Sequence, residues 1–118
     1  MVRYKEERLD RIFSALCNSA RRSILARLEG KPRLSISELA EPFAMTLPAV
    51  LKHLDILSDI GLIRRFKTGR TVWVEIEAGS MKVAMDWLEH HRLFWSTSLD
   101  RLARYAEAKE RETEGRNR

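Results

Sequence analysis

The residues able to do chemistry here are few. Cys17 is the sole cysteine, and His53, His90 and His91 are the only imidazoles in 118 residues. One thiol can form no intrachain disulfide and no cysteine-rich zinc module. A lone cysteine most often serves as a small buried residue, which is the expectation for Cys17, ahead of a redox role. Asp86 and His90 would share a helical face at i,i+4, but the neighbouring His90 and His91 project in different directions. Solvent or interface histidines account for this pattern better than a metal site, so no metal and no cofactor are expected. The five glycines stand at 30, 61, 69, 79 and 115. That spacing excludes the Gly-x-Gly-x-x-Gly fingerprint and the Gly-x-x-x-x-Gly-Lys phosphate loop. Neither Gly-x-Ser-x-Gly nor His-Glu-x-x-His occurs. No spacing supplies a pair of acid and base groups, so the chain is expected not to be an enzyme.

Charge points to a binding function instead. The net charge is +5, from 22 Lys and Arg against 17 Asp and Glu. Between Phe43 and Val74 lie Lys52, Arg64, Arg65, Lys67 and Arg70 against only Asp55 and Asp59. A moderate basic excess gathered in one segment suits an acidic partner. The length fits one domain, and 44% apolar residues suffice for one small core. A domain this small gains from dimerisation. The charged N-terminus carries no apolar signal segment, and no uncharged stretch approaches the ~20 residues needed to span a bilayer. A cytoplasmic protein without membrane contact is expected.

Helical spacing of Leu9, Ile12, Phe13 and Leu16 predicts a first helix over Glu6–Leu16. Asn18 and Ser19 can cap a second over Ala20–Leu28, stopped by Gly30. Ser35-x-x-Glu38 is a capping box for a short helix from Ile36 that Pro42 ends. Thr46 caps the next helix, with Pro48 in its first turn and Gly61 after its last. Leu62–Phe66 and Thr71–Ile76 read as strands joined by Lys67-Thr68-Gly69-Arg70. A final helix runs from Met81 to about Arg111, its apolar stripe wider and more aromatic than one small domain needs. The boundaries expected are a domain over 1–106 and a charged, fraying tail over 107–118.

Short helix, tight turn, second helix and basic hairpin make a winged helix-turn-helix, mainly α with a small β-hairpin in the order α-α-α-α-β-β-α. The DNA major groove admits one helix, whose N-terminal residues meet base edges. Val50, Leu54 and Leu57 form the inward face of the helix after Thr46. Thr46, Leu47, Ala49, Lys52 and His53 lie on or near its other side as DNA contacts. Thr46 caps and reaches a phosphate, Leu47 and Ala49 touch thymine methyls, and Lys52 and His53 meet base edges or phosphates. Lys67 and Arg70 at the hairpin tip reach backbone or minor groove, and Arg65 adds a backbone contact.

Ser37-Glu38-Leu39-Ala40, then Met45-Thr46-Leu47-Pro48-Ala49-Val50-Leu51-Lys52-His53-Leu54, then Leu57, Gly61-Leu62-Ile63 and Gly69-Arg70 resemble the arsenic-repressor (ArsR) type winged-helix regulators. Asn18 to Leu25 is similar to that family's second-helix start. The ending through Trp87–Trp95 and Leu99–Leu102 is similar to a branch without metal sites. Thr46 stands for the family's usual Ser, Leu51 for a common small polar residue, and Ala44 for a frequent Gly. The resemblance implies a homodimer built from first and last helices, binding double-stranded DNA at an inverted-repeat operator, with repression relieved by an inducer the sequence does not identify. Leu9, Phe13, Trp87, Leu88, His91, Phe94, Trp95, Leu99 and Leu102 are the expected dimer interface. The family's metal motifs are missing: Ala40 and Glu41 follow Glu38-Leu39 where a Cys-x-Cys belongs, and Leu88 follows Asp86 where a His belongs. The alternative is a winged-helix protein-interaction module that has lost DNA binding.

Overall fold

Caps and breakers set the element ends. The computed structural model describes residues 2–116. It contains α1 (Val2–Leu16), α2 (Ser19–Leu28), β1 (Leu34–Ser35), α3 (Ile36–Ala40), α4 (Leu47–Asp59), β2 (Ile63–Thr68), β3 (Thr71–Ile76) and α5 (Ala78–Arg116). The Asn18 side chain accepts from the Arg21 amide at the start of α2. Ser35 and Glu38 exchange both bonds of a capping box at α3. The Thr46 hydroxyl accepts from the Ala49 amide, and Pro48 sits in the first turn of α4. Each cap satisfies a backbone donor that the helix itself leaves unpaired.

The far end of α4 closes on Gly61, whose φ of +78° only glycine adopts without strain. Gly61 donates to the Ser58 carbonyl and Leu62 to that of Leu57. This double bond pattern is the Schellman termination. It draws Leu62 into the helix cap, so β2 begins at Ile63 rather than Leu62. The hairpin turn shrinks to Gly69-Arg70, with Thr68 paired to Thr71 and Lys67 already inside β2 opposite Val72. Gly69 at φ +64° followed by a residue of negative φ fits a type II′ turn, whose twist matches the strands.

The sheet has three antiparallel strands in the order β1-β3-β2. The expected element order lacked β1, which pairs Leu34 with Val74 and Ser35 with Trp73. Two residues cannot display a period-two alternation, so only the sheet edge offered by β3 reveals them.

The chain forms two units, Met1–Ala84 and Met85–Arg118. In the first, Ile12, Ile24, Leu39, Leu54, Leu57 and Val74 are fully buried in one apolar cluster. The second unit is α5 from Met85 onward. The charged stretch from Glu107, expected to fray, stays helical through Arg116. Its Glu, Lys, Arg and Ala are strong helix formers, and Lys109 pairs with Glu112 one turn on. Asn117 and Arg118, at the end of that expected tail, lie outside the described residues. Cys17 is exposed, not buried as expected. Ile12 and Ala15 take the inward positions of α1, leaving Cys17 in the bend that follows.

Candidate nucleic-acid interface

α4 presents two faces. Val50, Leu54 and Leu57 are buried, and Leu51 packs half-buried beside them. Leu51 therefore serves the core, which explains a leucine at a position where the resemblance suggested a polar residue. On the other side Leu47 is 53% exposed, Lys52 is exposed, and Ala49 is half-buried. An exposed leucine in the first turn of a helix, with a lysine 5 residues on, offers an apolar contact and a cation to a groove.

His53 is half-buried and held from behind. Arg21 of α2 brings its Nη1 to 3.4 Å from His53 Nδ1. A guanidinium can only donate, so Nδ1 is the accepting atom in this contact. Arg21 is itself fastened to the end of α1: its Nε donates to the Ala15 carbonyl at 2.7 Å and its Nη2 to that of Ser14. Arg22 donates likewise to the Leu16 carbonyl. The last carbonyls of α1 are thus capped by cations, which also suits the helix dipole.

The hairpin lies beside α4 through an ion pair. Arg65 Nη1 sits 2.8 Å from Asp55 Oδ1, so the Arg65 charge is already partnered. Arg64 is engaged with Glu75 across the strands and also lies over the Phe66 ring. The Arg33 guanidinium lies 4.1 Å from the Trp73 ring centre, on the same sheet face. Lys52, Lys67 and Arg70 are exposed and form no ion pair among the described residues. They are the cations of this segment that remain available to a polyanion.

Spacing alone missed Arg21, Asp55 and Arg33. Arg21 lies 32 residues from His53, and no local pattern announces that contact. The Arg64–Glu75 pairing was readable in principle, because the hairpin register places the two opposite each other.

The expected dimer residues divide. Leu9 and Phe13 are half-buried against the core of the first unit. In the second unit Trp87, Leu88, Phe94, Trp95, Leu99 and Leu102 are 42–65% exposed. His91 is half-buried, its ring 4.4 Å from that of Trp87. At 100° per residue these side chains cover an arc of about 140°, wider than a coiled-coil seam. Among the described residues no group of three or more His, Cys, Asp and Glu side chains could hold a metal ion. No described helix is long and apolar enough to cross a membrane. All of the net positive charge belongs to Met1–Ala84, with 15 Lys and Arg against 10 Asp and Glu, whereas Met85–Arg118 has seven of each.

Comparison with known proteins gives this geometry its context. A helix-turn-helix domain family matches residues 16–65. The chain is 36% identical over 67 residues to the HTH-type transcriptional regulator YuzN of Bacillus subtilis, covering 52% of this chain and 73% of that one. It is 24% identical over 80 residues to the transcriptional repressor SdpR of the same organism, covering 68% and 88%. Among solved structures it is similar to an ArsR family transcriptional regulator, with 38% identity, a TM-score of 0.70, and coverage of 77% of this chain and 93% of that one. An ArsR-like regulator from Rhodococcus follows at 28% identity and a TM-score of 0.65, covering 82% and 91%. The two-faced α4, the hairpin tied to it and these likenesses agree: the chain belongs to the ArsR family of winged helix-turn-helix transcriptional regulators.

Proposed function

We infer that this regulator binds double-stranded DNA as a homodimer at an inverted-repeat operator and represses transcription there, acting by binding and not by catalysis. The observation that carries this reading is the split of α4: Val50, Leu54 and Leu57 buried, Leu47 and Lys52 exposed beside a hairpin whose free cations are Lys67 and Arg70. In the proposed complex α4 enters the major groove from its Thr46 end. Leu47 and Ala49 meet thymine methyls, Lys52 and His53 Nε2 meet base or phosphate acceptors, and Lys67 and Arg70 hold backbone beside the groove. Arg65 lies toward the backbone, but its charge is held by Asp55 and adds no phosphate neutralisation while that pair stands.

The second copy covers the apolar arc of α5. Trp87, Leu88, His91, Phe94, Trp95, Leu99 and Leu102 would face the partner, and Leu9 and Phe13 of α1 would also take part in the dimer contact. Large apolar side chains left this exposed over several turns mark an association surface. Repression is supported by the likeness to SdpR, named a transcriptional repressor.

The test is a Lys52→Ala and Arg70→Ala double variant, assayed by electrophoretic mobility shift on duplexes selected from a random-sequence pool. Both side chains are exposed, so the variant keeps its fold and its sedimentation behaviour. Its affinity falls by orders of magnitude at moderate salt. Undiminished binding overturns the site assignment. Failure of the wild type to select any duplex favours a protein-interaction module.

A further inference from the structure

One cleft in the first unit is connected directly to the DNA-binding helix through Arg21. This cleft of about 470 Å³ opens between α1, α2 and the second half of α4, lined by Asp10, Arg11, Arg21, Asp59, Ile56 and Ile60 among others. Its volume lies within the range of small-molecule sites. Arg11, Asp10 and Asp59 are exposed and make no ion pair or side-chain hydrogen bond among the described residues. Charges of both signs thus line one cleft without neutralising each other. Ile56 and Ile60 give it an apolar wall.

We propose that this cleft binds a small zwitterion of the dipeptide class, and that its occupancy loosens the grip on DNA. The carboxylate goes to Arg11 and Arg21, the ammonium to Asp59 and Asp10, and aliphatic side chains lie on Ile56 and Ile60. A charge-assisted, bidentate hold on the carboxylate is the strongest single contact on offer. An isolated anion would meet Asp10 and Asp59, and an isolated cation would meet Arg11 and Arg21, so the lining discriminates for a molecule carrying both.

Arg21 makes the site regulatory. The guanidinium that lines the cleft also caps the α1 carbonyls of Ser14 and Ala15 and contacts His53 on α4. A carboxylate held through the two remaining N–H groups of Nη1 and Nη2 draws the guanidinium toward the cleft and away from those acceptors. His53 Nδ1 then loses its donor, and the ring loses the contact that holds it on α4. This coupling rests on the DNA-binding reading above, whereas the site itself does not.

Titration calorimetry of the full chain with L-leucyl-L-leucine tests the site without DNA. Saturable binding is expected, weakened about tenfold or more by Arg11→Ala, by Asp59→Asn, and by N-acetylation or C-terminal amidation of the dipeptide. The two blocked peptides keep the test valid should a variant misfold. No saturable heat, or binding indifferent to both the substitutions and the blocking groups, overturns the site. Mobility shifts across a dipeptide concentration series then test the coupling: duplex affinity falls about tenfold in the wild type, and Arg11→Ala needs about tenfold or more dipeptide to show the same fall. Dipeptide binding with unaltered duplex affinity overturns the coupling. A chain that binds the dipeptide and no duplex supports the site and refutes the DNA-binding reading instead.

Discussion

Replacing Asp55 by Asn should make DNA binding more salt-sensitive, because it frees a cation already in place. Arg65 lies 2.8 Å from Asp55, and the Asp55 side chain is 61% exposed against 27% for Arg65. An ion pair with one partner so exposed contributes little to folding, about 1 kcal/mol or less. The variant should therefore unfold at nearly the wild-type denaturant midpoint. At the DNA the effect is larger. Lys52, Lys67 and Arg70 offer three free cations per protomer, or six per dimer, which gives a slope of log K against log salt of about −5.4. Asp55→Asn adds Arg65 from each protomer, and the slope should steepen by about 1.8 units. Affinity should also rise at low salt, since a carboxylate leaves the α4 surface. The assay is fluorescence anisotropy of a labelled selected duplex across a salt series. A slope equal to or shallower than that of the wild type would refute the placement of Arg65 toward phosphate.

Three further outcomes follow from the packing. Gly61→Ala puts a Cβ into a residue of positive φ and within 2.8 Å of Ser80 Oγ, the buried hydroxyl that receives Arg8. A loss of about 1–3 kcal/mol is expected in chemical denaturation; a neutral result would show that the α4 terminus relaxes freely. Hydrogen bonds from the Ser35 backbone and side chain, aided by Arg27 and Lys31, hold the Glu38 carboxyl below the ordinary carboxylate range. Its contribution is present above the unfolded-state value and is lost as pH falls through the lower folded value, so Glu38→Gln should flatten the fall in denaturant midpoint as pH drops from neutral through the carboxylate range. A chain ending at Ala84 removes the exposed aromatic arc of α5 while keeping the core, so light scattering should find a folded monomer; a stable dimer would contradict the assigned interface.

Much of this molecule can be read locally. Asn18, Ser35, Glu38, Thr46, Pro48 and Gly61 announce their helix ends because caps act through bonds a few residues long. Val50, Leu54 and Leu57 declare the buried face of α4 because a helix repeats every 3.6 residues. What stayed hidden depends on distant partners. Leu34 and Ser35 become a strand only when β3 offers its edge. Cys17 looks like a core residue by type, yet its place in the bend after α1 turns it outward. Arg65 reads as a DNA contact from its place in the strand, and only the fold brings Asp55 of α4 to it as an ion-pair partner. The tie of Arg21 to His53 shows only when α2 and α4 meet. The charged end of α5 is drawn into helix through Arg116 by the propensity of its Glu, Lys, Arg and Ala and by the Lys109–Glu112 pair, neither of which shows as an apolar stripe.

The central claim is that α4 reads the major groove from two protomers at once. Guanine N7 lies in that groove, so methylation interference on a selected duplex interrogates it directly. The account predicts two clusters of inhibitory methyl groups on one face of the duplex, centred about 10–10.5 base pairs or a whole multiple apart, both weakened in the Lys52→Ala variant. Binding indifferent to N7 methylation at every guanine would contradict it.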